Sequence, residues 1–293
     1  MKRLALAVLA VASALGVQTA FAAATYTFGS ASVGSCGSVP TASNSSCWGN
    51  TLTYSASGTT ITATAKAYSN TAGTGTNSNA SAALQTAYLA QYSGGLGVYN
   101  RDYATSTDGN STADIDTSET GSPEHATDNN ERYDAVLLTF SKDVSLGSVT
   151  LGWAQYDSDI TIWAYIGATP SALEGATYAS LMTTPSGLVN NSWVLVGNYA
   201  DIGLAEKTVN ASGLTSSAWL IGAYNPGGTA AACTGTNSTA KDGLDCGDDY
   251  VKILSVSATP TTTTTTTQVP EPGSFALAGL ALAGLVVSRR NKK

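Results

Sequence analysis

Tyr133-Asp134-Ala135-Val136-Leu137-Leu138-Thr139-Phe140, followed shortly by Ser148-Val149-Thr150-Leu151-Gly152-Trp153, decides the fold class of this chain. Each run is short, rich in Val, Leu and aromatic residues, and bounded by Asp, Ser or Gly, which is how strands read. Working outward, residues 160–167, 193–197, 218–223 and 250–257 have the same character. Residues 59–67 alternate instead, with Ile61, Ala63, Ala65 and Ala67 on one side of the pleat. Residues 82–92 also read as strand, because Ser93-Gly94-Gly95 behind them is a turn signal. A short helix is expected within residues 171–182. The helix formers Glu, Lys, Gln and Arg are scarce, and charged residues are only 11% of the chain. The expected fold is therefore all-β: an antiparallel β-sandwich, jelly-roll-like, of about nine to twelve strands with short helical insertions. No internal repeat is visible, which argues against a propeller or β-helix.

The two ends have a different composition. Lys2 and Arg3 precede an uncharged apolar run at residues 4–17, and Ala20-Phe21-Ala22 forms a small-residue cleavage pattern. Residues 1–22 thus read as a secretory signal for the Sec translocon. At the other end, Val269, Pro270, Glu271 and Pro272 precede an apolar stretch at residues 273–287, then Arg289, Arg290, Lys292 and Lys293. Fifteen helical residues span about 22 Å against roughly 30 Å of hydrocarbon, so the stretch is a marginal transmembrane helix. Its basic end stays cytoplasmic and leaves the body of the chain outside. Between body and tail, residues 259–268 form a Thr-rich linker. The expected organisation is a signal at 1–22, a β-sandwich ectodomain at 23–258, the linker, and a tail at 269–293.

This three-part tail resembles the PEP-CTERM signal, on Pro270-Glu271-Pro272, the short helix and Arg289-Arg290. The resemblance implies recognition at Val269 to Pro272 by exosortase, an integral-membrane transpeptidase that cuts near the motif, with Arg289 and Arg290 as the stop. It also implies a localisation: exported, transiently anchored in the inner membrane, then at the cell surface or extracellular.

Six of the 13 basic residues lie in the two ends, so the exported part is more acidic than the net charge of −7 indicates. Nucleic-acid binding is excluded as a partner class, since phosphate neutralisation needs clustered Lys and Arg. The four cysteines form two local pairs, Cys36 with Cys47 and Cys233 with Cys246. In an oxidising compartment these read as disulfides, each stabilising by about 3 kcal/mol on loop entropy.

Three stretches stand out within the ectodomain. They are residues 94–102 (GGLGVYNRD), residues 122–130 (SPEHATDNN) leading into the strand at 135–140, and residues 149–162 containing Asp157-Ser158-Asp159. Together they resemble an exosortase-dependent surface protein family, the XDP1 group, which implies a surface or matrix protein of polysaccharide-producing bacteria and no established reaction. Asn100, Asp102, Asp128, Asn129 and Asp134 bring hard oxygen ligands together and are the candidates for one calcium site. The competing reading is that they cap turns and strand ends. Asp157 and Asp159, two apart, would share one face of a strand, as an acid–base pair, a turn or a second cation site. Asp242, Asp245, Asp248 and Asp249 around Cys246 read as a solvated loop, and if they bind anything it is a cation. His125 is the only histidine, and no G-x-S-x-G elbow accompanies it, so it reads as a turn cap rather than a catalytic base.

No catalytic residue is expected. The functional expectation is a structural or adhesive surface protein of exopolysaccharide, biofilm or floc matrix. A carbohydrate-binding module is the alternative, and a secreted hydrolase ranks behind both. A row of exposed aromatics would favour the second, and a cleft with facing carboxylates the third.

Overall fold

The computed structural model describes residues 22–29, 47–72, 82–101, 125–130, 132–167, 173–182, 193–225, 243–245 and 247–261. The elements are β1 (Ala24–Thr27), β2 (Thr51–Ser55), β3 (Thr62–Ala72), β4 (Ala83–Thr86), β5 (Tyr88–Tyr92), β6 (Gly95–Tyr99) and β7 (Thr127–Asp128). They continue as β8 (Asp134–Tyr156), β9 (Ile160–Tyr165), α1 (Tyr178–Met182), β10 (Trp193–Tyr199), β11 (Lys207–Thr208), β12 (Ser216–Ala223) and β13 (Asp249–Pro260).

The strands hydrogen-bond into one continuous 13-stranded sheet whose main path is β10-β9-β12-β8-β13-β6-β5. Strand pairing is antiparallel throughout the named strands. β8 is 23 residues long, and it belongs to both halves of the sheet. Its first part lies between β3, where Ser69 faces Asp134 and Ala63 faces Phe140, and β12, where Gly222 faces Ala135. Its second part pairs with β13, from Val144 opposite Pro260 to Tyr156 opposite Asp249. The exposed residues Ser141, Lys142 and Asp143 are where the strand passes from one set of partners to the other.

That change of partners lets one core draw on both halves of the sheet. Val136, Leu138, Ile162, Trp219 and Ile221 from the first half share one core with Val149, Leu151, Val251, Ile253 and Val256 from the second. Period-2 alternation supplies the inward faces: in β3, Ala63, Ala65 and Ala67 are all fully buried. On the reverse face of the first half, Tyr133, Trp163, Trp193 and Leu220 are covered by Leu173, Tyr178 and Leu181 around α1. α1 is capped by Thr177, whose Oγ1 accepts the Ser180 N–H at 3.0 Å.

The all-β antiparallel expectation agrees with this fold. Among the described residues the strand count of 13 exceeds the expected range, because β1, β2, β7 and β11 are too short or too polar to show as apolar runs. The expected helix contracts to Tyr178–Met182, since Gly175 takes a left-handed φ of +85° and holds a turn before it. Cys47 is disulfide-bonded and buried. Cys36, Cys233 and Cys246 lie outside the described residues, as do the signal segment at 1–21 and the whole tail from 262, including Val269, Pro270, Glu271, Pro272, Arg289 and Arg290. Among the described residues no helix is long and apolar enough to cross a membrane.

Candidate functional site

The site grows out of the corner between β8 and β9. Tyr156 ends β8 with a left-handed φ of +61°, which turns the chain so that Asp157 and Asp159 both face the start of β13. There Tyr156 pairs with Asp249, and an isolated parallel bridge joins Asp157 to Asp249. The result is that carboxylate oxygens of Asp157, Asp159 and Asp249 lie within 4.8 Å of one another. Their relative exposures are 4%, 0% and 1%. Three buried carboxylates this close are costly unless something neutralises them.

Main-chain amides hold the group. Asp159 Oδ1 accepts the Asp201 N–H at 2.7 Å, and its Oδ2 accepts the Asp245 N–H at 3.3 Å. Asp249 Oδ1 accepts the Asp159 N–H at 2.6 Å. Asp249 Oδ2 accepts from the Asn129 amide at 2.7 Å, while the Asp249 N–H donates back to Asn129 Oδ1 at 2.8 Å. Asp157 Oδ1 accepts the Ser158 N–H at 2.7 Å, whereas Asp157 Oδ2 is buried with no hydrogen-bond partner. The carboxyl of Asp201, itself exposed and at a left-handed φ of +47°, reaches the carboxyl of Asp157.

Electrostatics follow from this packing. Burial pushes Asp159 up to about 6, with the charges of Asp157 and Asp201 adding to the effect and the amides of Asp201 and Asp245 opposing it. Burial and the charge of Asp159 raise Asp249 well above the carboxylate range, and burial also raises Asp157. A carboxyl whose pKa is higher folded than unfolded stabilises the fold while protonated. That contribution is complete below about pH 4 and is lost as pH rises through about 6. In chelator-treated, ion-free buffer the melting temperature is therefore expected to fall between pH 4 and 7. A flat or rising curve over that interval in differential scanning calorimetry would show that the cluster ionises without cost.

The residues singled out from sequence are distributed as follows. Asn100 is buried just after β6, and Asp102 is outside the described residues. Asp128 sits in β7, where its Oδ1 accepts the Asn130 N–H at 3.2 Å as a turn cap does. Asp134 opens β8, opposite Ser69 and near Tyr178. Asn129 is the member drawn into the acidic cluster, through Asp249 and through the carbonyls of Tyr224 and Gly247 at 3.1 and 3.3 Å. Asp245 also reaches the cluster, by its N–H. Asp242 is not described. What the sequence reading lacked was the meeting of Asp157 and Asp159 with Asp249, about ninety residues away, which depends on the register of β8 and β13.

A second grouping lies on β5, β6 and the second half of β8. His125 stacks beside Tyr92, Tyr99 and Trp153, with ring centroids 5.3, 6.3 and 6.4 Å away. The Lys252 ammonium sits 4.3 Å over Tyr92 and 4.5 Å over Trp153, a buried cation between two aromatic faces. All four rings remain partly exposed.

Comparison with known families finds a match in the tail. Residues 268–290 match the PEP-CTERM protein-sorting motif. No curated protein and no solved structure matches the chain. This chain therefore carries a PEP-CTERM sorting signal, which marks it for export, membrane-associated processing and exosortase as the processing partner.

Proposed function

We propose that the chain is a surface or extracellular-matrix protein with a structural or adhesive role in exopolysaccharide, biofilm or floc, and that it is not an enzyme. The observation that carries this reading is the sorting signal at residues 268–290 placed directly behind a β-rich ectodomain. Such a signal delivers a folded domain to the outside of the cell, and the resemblance of residues 94–102, 122–130 and 149–162 to the XDP1 surface proteins points the same way. After processing, the ectodomain is the working part, presented at the cell surface or released.

A carbohydrate-binding reading has one specific observation in its favour. Tyr92, Tyr99, His125 and Trp153 present partly exposed ring faces in one group, and sugar rings stack on such faces. Co-sedimentation of the full chain, purified in mild detergent, with exopolysaccharide from the source culture tests both. Retention that is lost in Trp153→Ala supports direct glycan binding by the aromatic group. Retention that survives this change supports matrix association by another surface. No retention at all removes the direct adhesive role and leaves protein–protein assembly as the way the domain serves the surface.

A further inference from the structure

We infer that Asp157, Asp159 and Asp249, with Asp201 at the solvent side, form a binding site for one calcium ion. Two independent features lead there. The first is convergence: three carboxylates from two separate segments place oxygens within 4.8 Å of one another in a buried position. Among the described residues the charges that act on Asp157, Asp159 and Asp249 are those of other aspartates. The second is an unmet ligand. Asp157 Oδ2 is buried and meets no donor, and the side chain beside Asp157 is another carboxyl, that of Asp201, so the two can bond only by sharing a proton. A cation answers both features at once.

The remaining oxygens are already oriented. Amides of Asp159, Asp201 and Asp245, and the side chain of Asn129, each use a single lone pair of Asp159 or Asp249 and leave another for a metal. Supporting bonds of this kind fix ligand carboxylates in place before an ion arrives. Because Asp201 is exposed while the other three are buried, it marks the route of entry.

Donor chemistry selects the ion. An all-oxygen, all-carboxylate set excludes the metals that need thiolate or imidazole, zinc and copper(I) among them. Magnesium keeps most of its water and is usually held by one or two carboxylates, whereas calcium accepts six to eight oxygens, several of them carboxylate, in adaptable geometry. Bound at this site, calcium would join the β8–β9 corner, the turn at Asp201–Gly203 and the start of β13. The first two are already joined by the Gly203 N–H bond to Ser158 Oγ at 3.0 Å, and Asp201 Oδ2 also accepts the Gly243 N–H at 2.9 Å.

The test uses the full chain in mild detergent at pH 7.5, stripped with chelator, and titrated with calcium by calorimetry and by thermal unfolding. Terbium is the optical probe, excited through Tyr224, whose phenol feels the charges of Asp159 and Asp249. The expected result is saturable binding of a single ion. At calcium about a hundredfold above Kd, the melting temperature should rise by about 5–10 °C. Asp157→Asn should weaken calcium binding at least about tenfold, while raising the melting temperature in chelator, because it removes a repelling charge. That opposite pair of shifts separates a ligand from a residue that merely holds the fold. Absence of a calorimetric, thermal or terbium signal at millimolar calcium in the unmutated chain overturns the site without reference to any variant. A calcium response unchanged in Asp157→Asn places the ion elsewhere and also overturns it. An equal thermal response to magnesium overturns the assignment to calcium.

Discussion

Alanine at Gly95 is expected to cost the fold at least about 4 kcal/mol, enough to leave much of the protein unfolded or insoluble. A Cβ at this position would stand 2.2 Å from the Ile253 carbonyl oxygen, 2.4 Å from its carbon and 2.6 Å from the Leu254 nitrogen. All three are backbone atoms of β13, which cannot give way as a side-chain tip can. The φ of +117° adds strain that only glycine escapes. Gly97 repeats the argument, with its would-be Cβ 2.0 Å from the His125 carbonyl oxygen. Thermal unfolding of Gly95→Ala beside Gly58→Ala makes the comparison clean. Gly58 has a similar left-handed φ of +79° but nothing within 4 Å of its would-be Cβ, so its alanine variant should lose only about 1 kcal/mol. Equal losses at the two sites would mean that β6 does not lie as close to β13 as described.

The second large effect is expected at Asn129. Its side chain is 3% exposed and joins four groups: the Asp249 carboxylate, the Asp249 N–H, and the carbonyls of Tyr224 and Gly247. Asn129→Ala removes all four contacts and strands a buried carboxylate oxygen and a buried N–H together. Leaving such groups unmet costs about 3–5 kcal/mol. Asn129→Asp should fare no better, because it exchanges two donors for another negative charge in an already acidic pocket. Urea unfolding of both variants decides the matter; a loss below about 1 kcal/mol in either would show that the Asn129–Asp249 pair is not a structural joint.

Much of the sheet was readable from residues alone. The alternation of Ile61, Ala63, Ala65 and Ala67 became the inward face of β3 and the residue before it, and the apolar runs at 160–167, 218–223 and 250–257 became β9, β12 and β13. Residues 82–92 proved to be strand, interrupted at Ala87 between β4 and β5. Ser141-Lys142-Asp143 looked like the end of a strand because charge and hydroxyl collect there, yet β8 runs straight through with those side chains in solvent. β2 was hidden because its core residues are only Leu52 and Tyr54 among polar neighbours. Gly94 and Gly95 read as a turn signal, yet Gly95 together with Gly97 serves close backbone packing in β6. The acidic cluster was half legible. Asp157 with Asp159 is visible as a local pair, and Asp249 as one of several acids near Cys246. Their meeting is a product of strand register, which local composition does not encode.

The position of β13 has a consequence for export. It is the last described strand of the chain, yet it lies inside the sheet, paired with β1, β6, β7 and β8. A polypeptide threaded outward from its N-terminus presents every one of those partners before the strand they need. The half of the sheet that β13 completes therefore cannot close until Pro260 has emerged, whereas β2, β3, β9, β10, β12 and the first part of β8 can pair with one another before it.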